Sequence, residues 1–194
     1  MVQRMGMGPA DVDRLRKEYF RTYGTTMRGL AIHYGIDCAD YLAFVHDLPV
    51  SDYLKPDREL AVALARLPWT KHIFTNASAA HARRVLAALG VGKQFSGIFD
   101  VAWLNFAGKP ATQAFLRVLE ALSVGPASCV MVDDSPPNLV EASRLGMVTV
   151  LVAGSQGAAT AGVDFTVQRA AEVAGLVSQL TDLAEHRRGS RSGA

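Results

Sequence analysis

Cysteine is nearly absent from this chain. Cys38 and Cys129 lie far apart, with no Cys-x-x-Cys and no Cys/His spacing around either, so a disulfide framework and a thiolate zinc site both lack their ligands. Cys129 falls inside an apolar run and reads as a small core residue. Long hydrophobic stretches are missing too: none is of bilayer-spanning length, and Met1-Val2-Gln3-Arg4-Met5-Gly6 lacks the apolar segment of a signal peptide. A soluble, cytoplasmic protein is the expectation. Nor does charge of one sign dominate. Twenty Lys and Arg against 18 Asp and Glu leave a formal net charge of +2, which gives no reason to expect a nucleic acid polymer or a membrane as partner. Part of the excess sits in His186-Arg187-Arg188-Gly189-Ser190-Arg191, and residues 185–194 read as a disordered, solvated tail. The chain has no internal repeat.

What remains is an ordinary globular composition, 49% hydrophobic and 20% charged over 194 residues, enough for one core and a small appended subdomain. The two parts read differently. Over 9–57 only helical signals occur. Val12, Leu15, Tyr19 and Phe20 recur at helical spacing before Gly24. Thr25-Thr26 can cap a helix from Met27 to Tyr34, and a third runs from Ala39 to Asp47. Over 58–184 short apolar strands alternate with amphipathic helices. The strands are expected at 72–74, 98–101, 129–132, 148–152 and 163–167, and a Gly/Ala/Ser linker at 153–162 precedes the last. A final helix is expected from Ala170 to Leu183. That alternation is the signature of an α/β fold, a doubly wound, Rossmann-like and mainly parallel sheet, here with a small all-helical cap.

In such sheets ligands gather outside the carboxyl ends of the strands, and three strand ends carry suitable residues. The first reads Ile73-Phe74-Thr75-Asn76-Ala77-Ser78. A hydroxyl and an amide beside a helix N-terminus can hold a phosphate oxygen, though the same residues serve equally as helix caps. The second, Gly108-Lys109-Pro110, aims one ammonium from a shaped turn, where a plain surface lysine is the competing reading. The third, Val132-Asp133-Asp134-Ser135-Pro136-Pro137-Asn138, sets two carboxylates side by side after a buried strand. Adjacent carboxylates repel unless a cation or proton relieves them, and all-oxygen ligation suits magnesium. A helix start capped by Asp and Ser is the alternative.

The order of these pieces resembles the second, third and fourth motifs of the haloacid dehalogenase superfamily of phosphohydrolases, over almost the entire chain. The pyrimidine 5'-nucleotidase-like group is the most similar. Its cap resembles the stretch from Leu15 to Thr26 with Arg28-Gly29-Leu30, and Ala43-Phe44-Val45-His46-Asp47. The likeness extends to Ile73-Phe74-Thr75-Asn76 with His81-Ala82, and to Ser96-Gly97-Ile98-Phe99-Asp100. The resemblance implies that Thr75 and Asn76 bind the phosphate and that Lys109 neutralises it together with the nucleophile. It also implies that Asp134 ligates Mg2+ directly with Asp133 one shell out, and that Ser135 and Asn138 support the loop. Tyr23, Thr25, Arg28 and His46 would face the substrate from the cap, ordinary cap packing being the alternative. The implied reaction is attack by an aspartate on phosphorus, then hydrolysis of the aspartyl-phosphate.

That aspartate belongs to the family's first motif, a strand ending in Asp-x-Asp-x-Thr ahead of the cap and lying mid-sheet between the strands that end at Thr75 and Asp133. The only Asp-x-Asp here is Asp11-Val12-Asp13, which follows Gly8-Pro9 and opens a helix. The expectation is that the first core strand is missing, with Met1 an internal methionine taken as a start or the gene itself truncated. The strands ending at Thr75 and Asp133 would then close on each other, or the chain would be unstable. The expected function is a magnesium-dependent phosphomonoesterase for nucleoside 5'-monophosphates or similar small phosphorylated metabolites, inactive at this length. The alternative is a non-catalytic remnant binding phosphate or a protein partner. A receiver-like signalling domain fits less well, because Lys109 precedes the acidic pair. Gly108 stands where relatives often have proline.

Overall fold

The protein, seen here as a computed structural model, is described for residues 1–154 and 160–191. Positions 155–159 of the Gly/Ala/Ser linker expected at 153–162 lie outside the described residues.

The N-terminal part is helical throughout. A short α1 (Val2–Met5) precedes α2 (Pro9–Tyr23), α3 (Thr26–Tyr34), α4 (Cys38–Val45) and α5 (Val50–Tyr53). Local chemistry sets the boundaries. Pro9 takes the first turn of α2, where its missing N–H costs nothing, and Gly24 closes that helix at φ 79°. Thr25 caps α3 by accepting from the Arg28 N–H, and Asp37 caps α4 by accepting from the Asp40 N–H. Leu15, Tyr19 and Leu30 form the cap's own core. Three helices were expected; the two additional ones are single turns of four residues, too short for any periodic signal.

From Arg58 the chain alternates as the sequence implies. Helix α6 (Arg58–Arg66) leads to β1 (His72–Phe74), then α7 (Ala79–Leu89), β2 (Gly97–Phe99), α8 (Thr112–Leu122) and β3 (Val130–Asp133). Helix α9 (Pro136–Leu145), β4 (Val148–Val152), β5 (Phe165–Val167) and α10 (Val177–Arg191) complete it. All described pairings are parallel, so the fold is α/β and doubly wound. The single last helix expected from Ala170 is instead a 3-10 segment over Ala170–Leu176 followed by α10, with the poor helix former Gly175 near the junction. The tail also differs from expectation, because α10 continues to Arg191. Arg187 holds it in place, donating to the Met147 carbonyl and pairing with Asp164 at 2.6 Å. Asp164 in turn accepts from the N–H and hydroxyl of fully buried Thr149.

The sheet is in two pieces, β1-β2 and β3-β4-β5. The strands ending at Thr75 and Asp133 were expected either to close on each other or to leave the chain unstable; among the described residues no ladder joins β1 to β3. Side chains join them instead. Phe74 meets Phe115 edge-on with centroids 5.2 Å apart, and both pack with Met131, Leu139 and Leu151. In consequence β3 is only half covered: Val132 is 39% exposed, whereas Val150 on the neighbouring β4 is 0% exposed. A second seam joins cap to core, where Met27 and Leu42 enclose Val101 just beyond β2. The buried apolar area there holds the cap over the strand ends.

Candidate active site

The carboxyl ends of β1 and β3 meet at one lysine. Lys109, in the turn before α8, is buried, and its Nζ lies 2.5 Å from Asp133 Oδ2 with both side chains under a tenth exposed. Its ammonium also stands 5.0 Å from the centre of the Phe74 ring, a favourable place for a cation. A buried charge has to be matched in this way, since desolvation without a partner costs several kcal/mol.

The carboxylate of Asp133 is fully engaged. Oδ2 takes Lys109, while Oδ1 accepts from the Ser135 N–H at 2.8 Å and from buried Asn138 Nδ2 at 3.0 Å. Asn138 sits in the first turn of α9, and its reach back to Asp133 shapes the strand-to-helix bend. Asp134 is the opposite case: it is exposed and makes no hydrogen bond or ion pair among the described residues. One carboxylate turned inward onto a lysine and one left outward is how the pair avoids like-charge repulsion. No group of three His, Cys, Asp or Glu side chains that could hold a metal occurs among the described residues. The pair is thus a partial set of hard oxygen donors, of the kind magnesium takes alongside water and phosphate.

At the end of β1, Thr75 Oγ1 accepts from the Ala77 N–H at 3.0 Å, which leaves its own O–H free to donate to a ligand oxygen. Asn76 was expected to support a phosphate through side chain and backbone; its side-chain amide is engaged with Lys109. Its Nδ2 donates to the Lys109 carbonyl and its Oδ1 accepts from the Lys109 N–H, both at 2.8 Å. Beyond it Ser78 caps α7, accepting from the His81 N–H, and Asp100 at the end of β2 accepts from the Ala79 N–H at 2.7 Å. Two acceptors on one helix start fix the loop that carries Thr75.

The cap residues divide. Tyr23 is turned to His33, 2.7 Å from its Nε2, Thr25 serves as the α3 cap, and Arg28 is exposed. His46 reaches the core. Its Nδ1 lies 3.2 Å from Ser78 Oγ, and its ring stacks on His81 with centroids 4.1 Å apart. Arg84 donates to the His46 carbonyl beside them. Burial, then His81 and Arg84, lowers the His46 pKa, and burial, then Arg84, lowers that of His81. Asp11 and Asp13 are exposed on α2, each beside an arginine of the same helix.

Sequence reasoning missed Asp100 and the closure at Gly24. An ideal Cβ on Gly24 would stand 2.7 Å from Pro110 Cδ and 3.2 Å from the Lys109 carbonyl oxygen, so the end of α2 rests directly on the lysine turn. Gly24 offered only a helix stop, and Asp100 only the end of a strand.

The sequence model of the haloacid dehalogenase-like hydrolases matches residues 12–146. Phosphate metabolism protein 8 of Saccharomyces cerevisiae is 31% identical over 163 residues, covering 76% of this chain and 50% of the yeast protein, so the chain spans half the length of that relative. A HAD phosphatase from Thermococcus onnurineus has a similar fold, with TM-score 0.60 and 20% identity over 91% of this chain and 84% of its own. The L-2-haloacid dehalogenase from Xanthobacter autotrophicus, with chloropropionic acid covalently bound, is also similar, at TM-score 0.57 and 18% identity over 86% and 82%. At these identities the solved structures speak for the fold alone.

Proposed function

Because the chain belongs to the haloacid dehalogenase-like hydrolases, we propose that it forms the phosphate- and magnesium-binding part of a cytoplasmic phosphomonoesterase. Its substrates in this reading are nucleoside 5'-monophosphates or similar small phosphorylated metabolites, as in the pyrimidine 5'-nucleotidase-like group. The observation that carries the reading is the convergence of Thr75, Lys109 and the Asp133–Asp134 pair at the carboxyl ends of β1 and β3. The Thr75 hydroxyl donates to a non-bridging phosphate oxygen. Lys109, preorganised and dehydrated, offsets the charge of the phosphoryl group as it moves. A magnesium ion on Asp134, backed by Asp133, would supply further charge neutralisation at the phosphate. Ser135 and Asn138 hold the carboxylate loop, and Tyr23, Thr25, Arg28 and His46 shape the cap side. The attacking aspartate is assigned to none of the residues gathered here.

A second reading, a non-catalytic protein binding phosphate or a protein partner, draws on one observation: the carboxylate nearest Lys109 is Asp133, already saturated with hydrogen bonds. Phosphate release from a panel of nucleoside 5'-monophosphates, with and without magnesium, separates the two. Hydrolysis that needs magnesium and disappears in Asp134→Ala supports the phosphatase. Binding of inorganic phosphate without turnover supports the second reading, and chelator-resistant turnover of a 2-haloacid would overturn both.

A further inference from the structure

Asn76 uses its whole amide on one residue. Oδ1 accepts from the Lys109 N–H and Nδ2 donates to the Lys109 carbonyl, both at 2.8 Å. An amide that pairs with the N–H and C=O of a single residue acts as a surrogate strand neighbour, fixing that backbone unit in two directions. Room for it is made at the preceding position, since an ideal Cβ on Gly108 would stand 2.1 Å from Asn76 Oδ1 and 2.9 Å from its Cγ. No side chain fits there without expelling the amide. Gly24 of the cap closes on the next peptide unit, where an ideal Cβ would stand 3.2 Å from the Lys109 carbonyl oxygen and 2.7 Å from Pro110 Cδ. Lys109 is thus held at its backbone by Asn76 and at its ammonium by Asp133 and the Phe74 ring.

We propose that Asn76 is the positioning residue for Lys109, with Gly108 as the space that admits it, and that neither serves the phosphate directly. The arrangement deepens the phosphatase reading and rests on it for its functional consequence. The end of β1 then contributes a ligand, Thr75, and immediately after it the part that places the cation facing that ligand. Without the clamp the lysine keeps its charge but loses its address, and a preorganised charge becomes a solvated one.

The experiment reads the lysine itself. In a lysine-15N sample of the full chain, the Lys109 ammonium, identified by its loss in Lys109→Met, is expected to give a solvent-protected resonance. Two hydrogen bonds of ordinary strength hold its backbone, so Asn76→Ala should speed exchange of that ammonium with water by about tenfold or more. Thr75→Ala next door should leave it unchanged. Asn76→Asp, which keeps the acceptor and loses the donor, should fall between. Gly108→Ala expels the amide from the other side and should reproduce Asn76→Ala, and the double variant should be no worse than either single one. It also provides the test if Asn76→Ala does not fold.

Exchange within about twofold of wild type in Asn76→Ala or Gly108→Ala overturns the proposal, because a two-bond clamp cannot be lost so quietly. So does an additive double variant. Titration with inorganic phosphate and magnesium on the same samples keeps the two ideas apart. A wild-type chain that shows the lysine pattern but binds no phosphate keeps the clamp and removes the phosphatase reading. Lost phosphate binding in Asn76→Ala with an undisturbed lysine makes Asn76 a ligand after all.

Discussion

Individual residues in this site are defined by what their neighbours leave them. Asp133 and Asp134 are adjacent in sequence and alike in chemistry, yet one is buried on a lysine and the other is exposed. Lys109→Met should therefore act mainly through Asp133. Removing one member of a buried pair strands the other charge, at about 3 kcal/mol. The loss should show as a fall in urea midpoint with an unchanged slope, and Lys109→Met combined with Asp133→Asn should recover much of it. A double variant no more stable than Lys109→Met would mean the pair is not what holds this corner. The acidic pair and the lysine were singled out in the sequence by their order along the chain, since a lysine in a turn or a capped helix start has an ordinary structural reading by itself. The commitment of Asn76 was not. An amide after a strand reads the same whether it faces a ligand or a backbone 33 residues away, and only the folded chain decides which.

Among the elements, the cap is held by an apolar seam at Val101 and by the stacking of His46, just after α4, on His81 in the first turn of α7. The groups facing that pair are Arg84, which donates to the His46 carbonyl, and the Ser78 hydroxyl. The positive end of α7 adds to them. Every one of these disfavours a second positive charge except the hydroxyl, which is indifferent. Both histidines have folded-state pKa values below their ordinary one. Protons therefore bind the unfolded chain more readily, and the stability contributed by the pair is present above about pH 6.5 and declines as pH falls below it. Melting temperature followed from pH 8 to pH 5 should drop through that window, and His46→Phe, which keeps a stacked ring but cannot titrate, should flatten part of the drop. An unaltered profile in His46→Phe would assign the pH dependence to other groups. Helices α2, α3 and α4 were readable from spacing and caps, because Gly24, Thr25, Gly35 and their like act within one turn. Their docking onto the core was not, since Met27 and Val101 meet across a sequence separation that no periodic pattern records.

For the molecule as a whole, the α/β alternation in the sequence was enough to name the architecture, and the rule for parallel sheets directed attention to the strand ends. It could not say how many pieces the sheet would have. Short apolar strands such as His72–Phe74 and Val130–Asp133 look the same whether flanked on one side or on two. The separation of β1-β2 from β3-β4-β5 predicts an unusual protection pattern in β3. Amides directed at β4 should exchange slowly, while those directed away should exchange as fast as loop amides. Uniformly slow exchange along Val130–Asp133 would show that this side is covered.

The same two strands set the conditions under which the protein will stay in solution. A parallel strand whose outer backbone row has no strand partner among the described residues, with its Val132 39% exposed, is adhesive: it offers hydrogen bonds and grease together to any extended chain that passes, a second copy included. Crowded samples should stick before they unfold, and a charged residue in place of Val132 should be the simplest remedy.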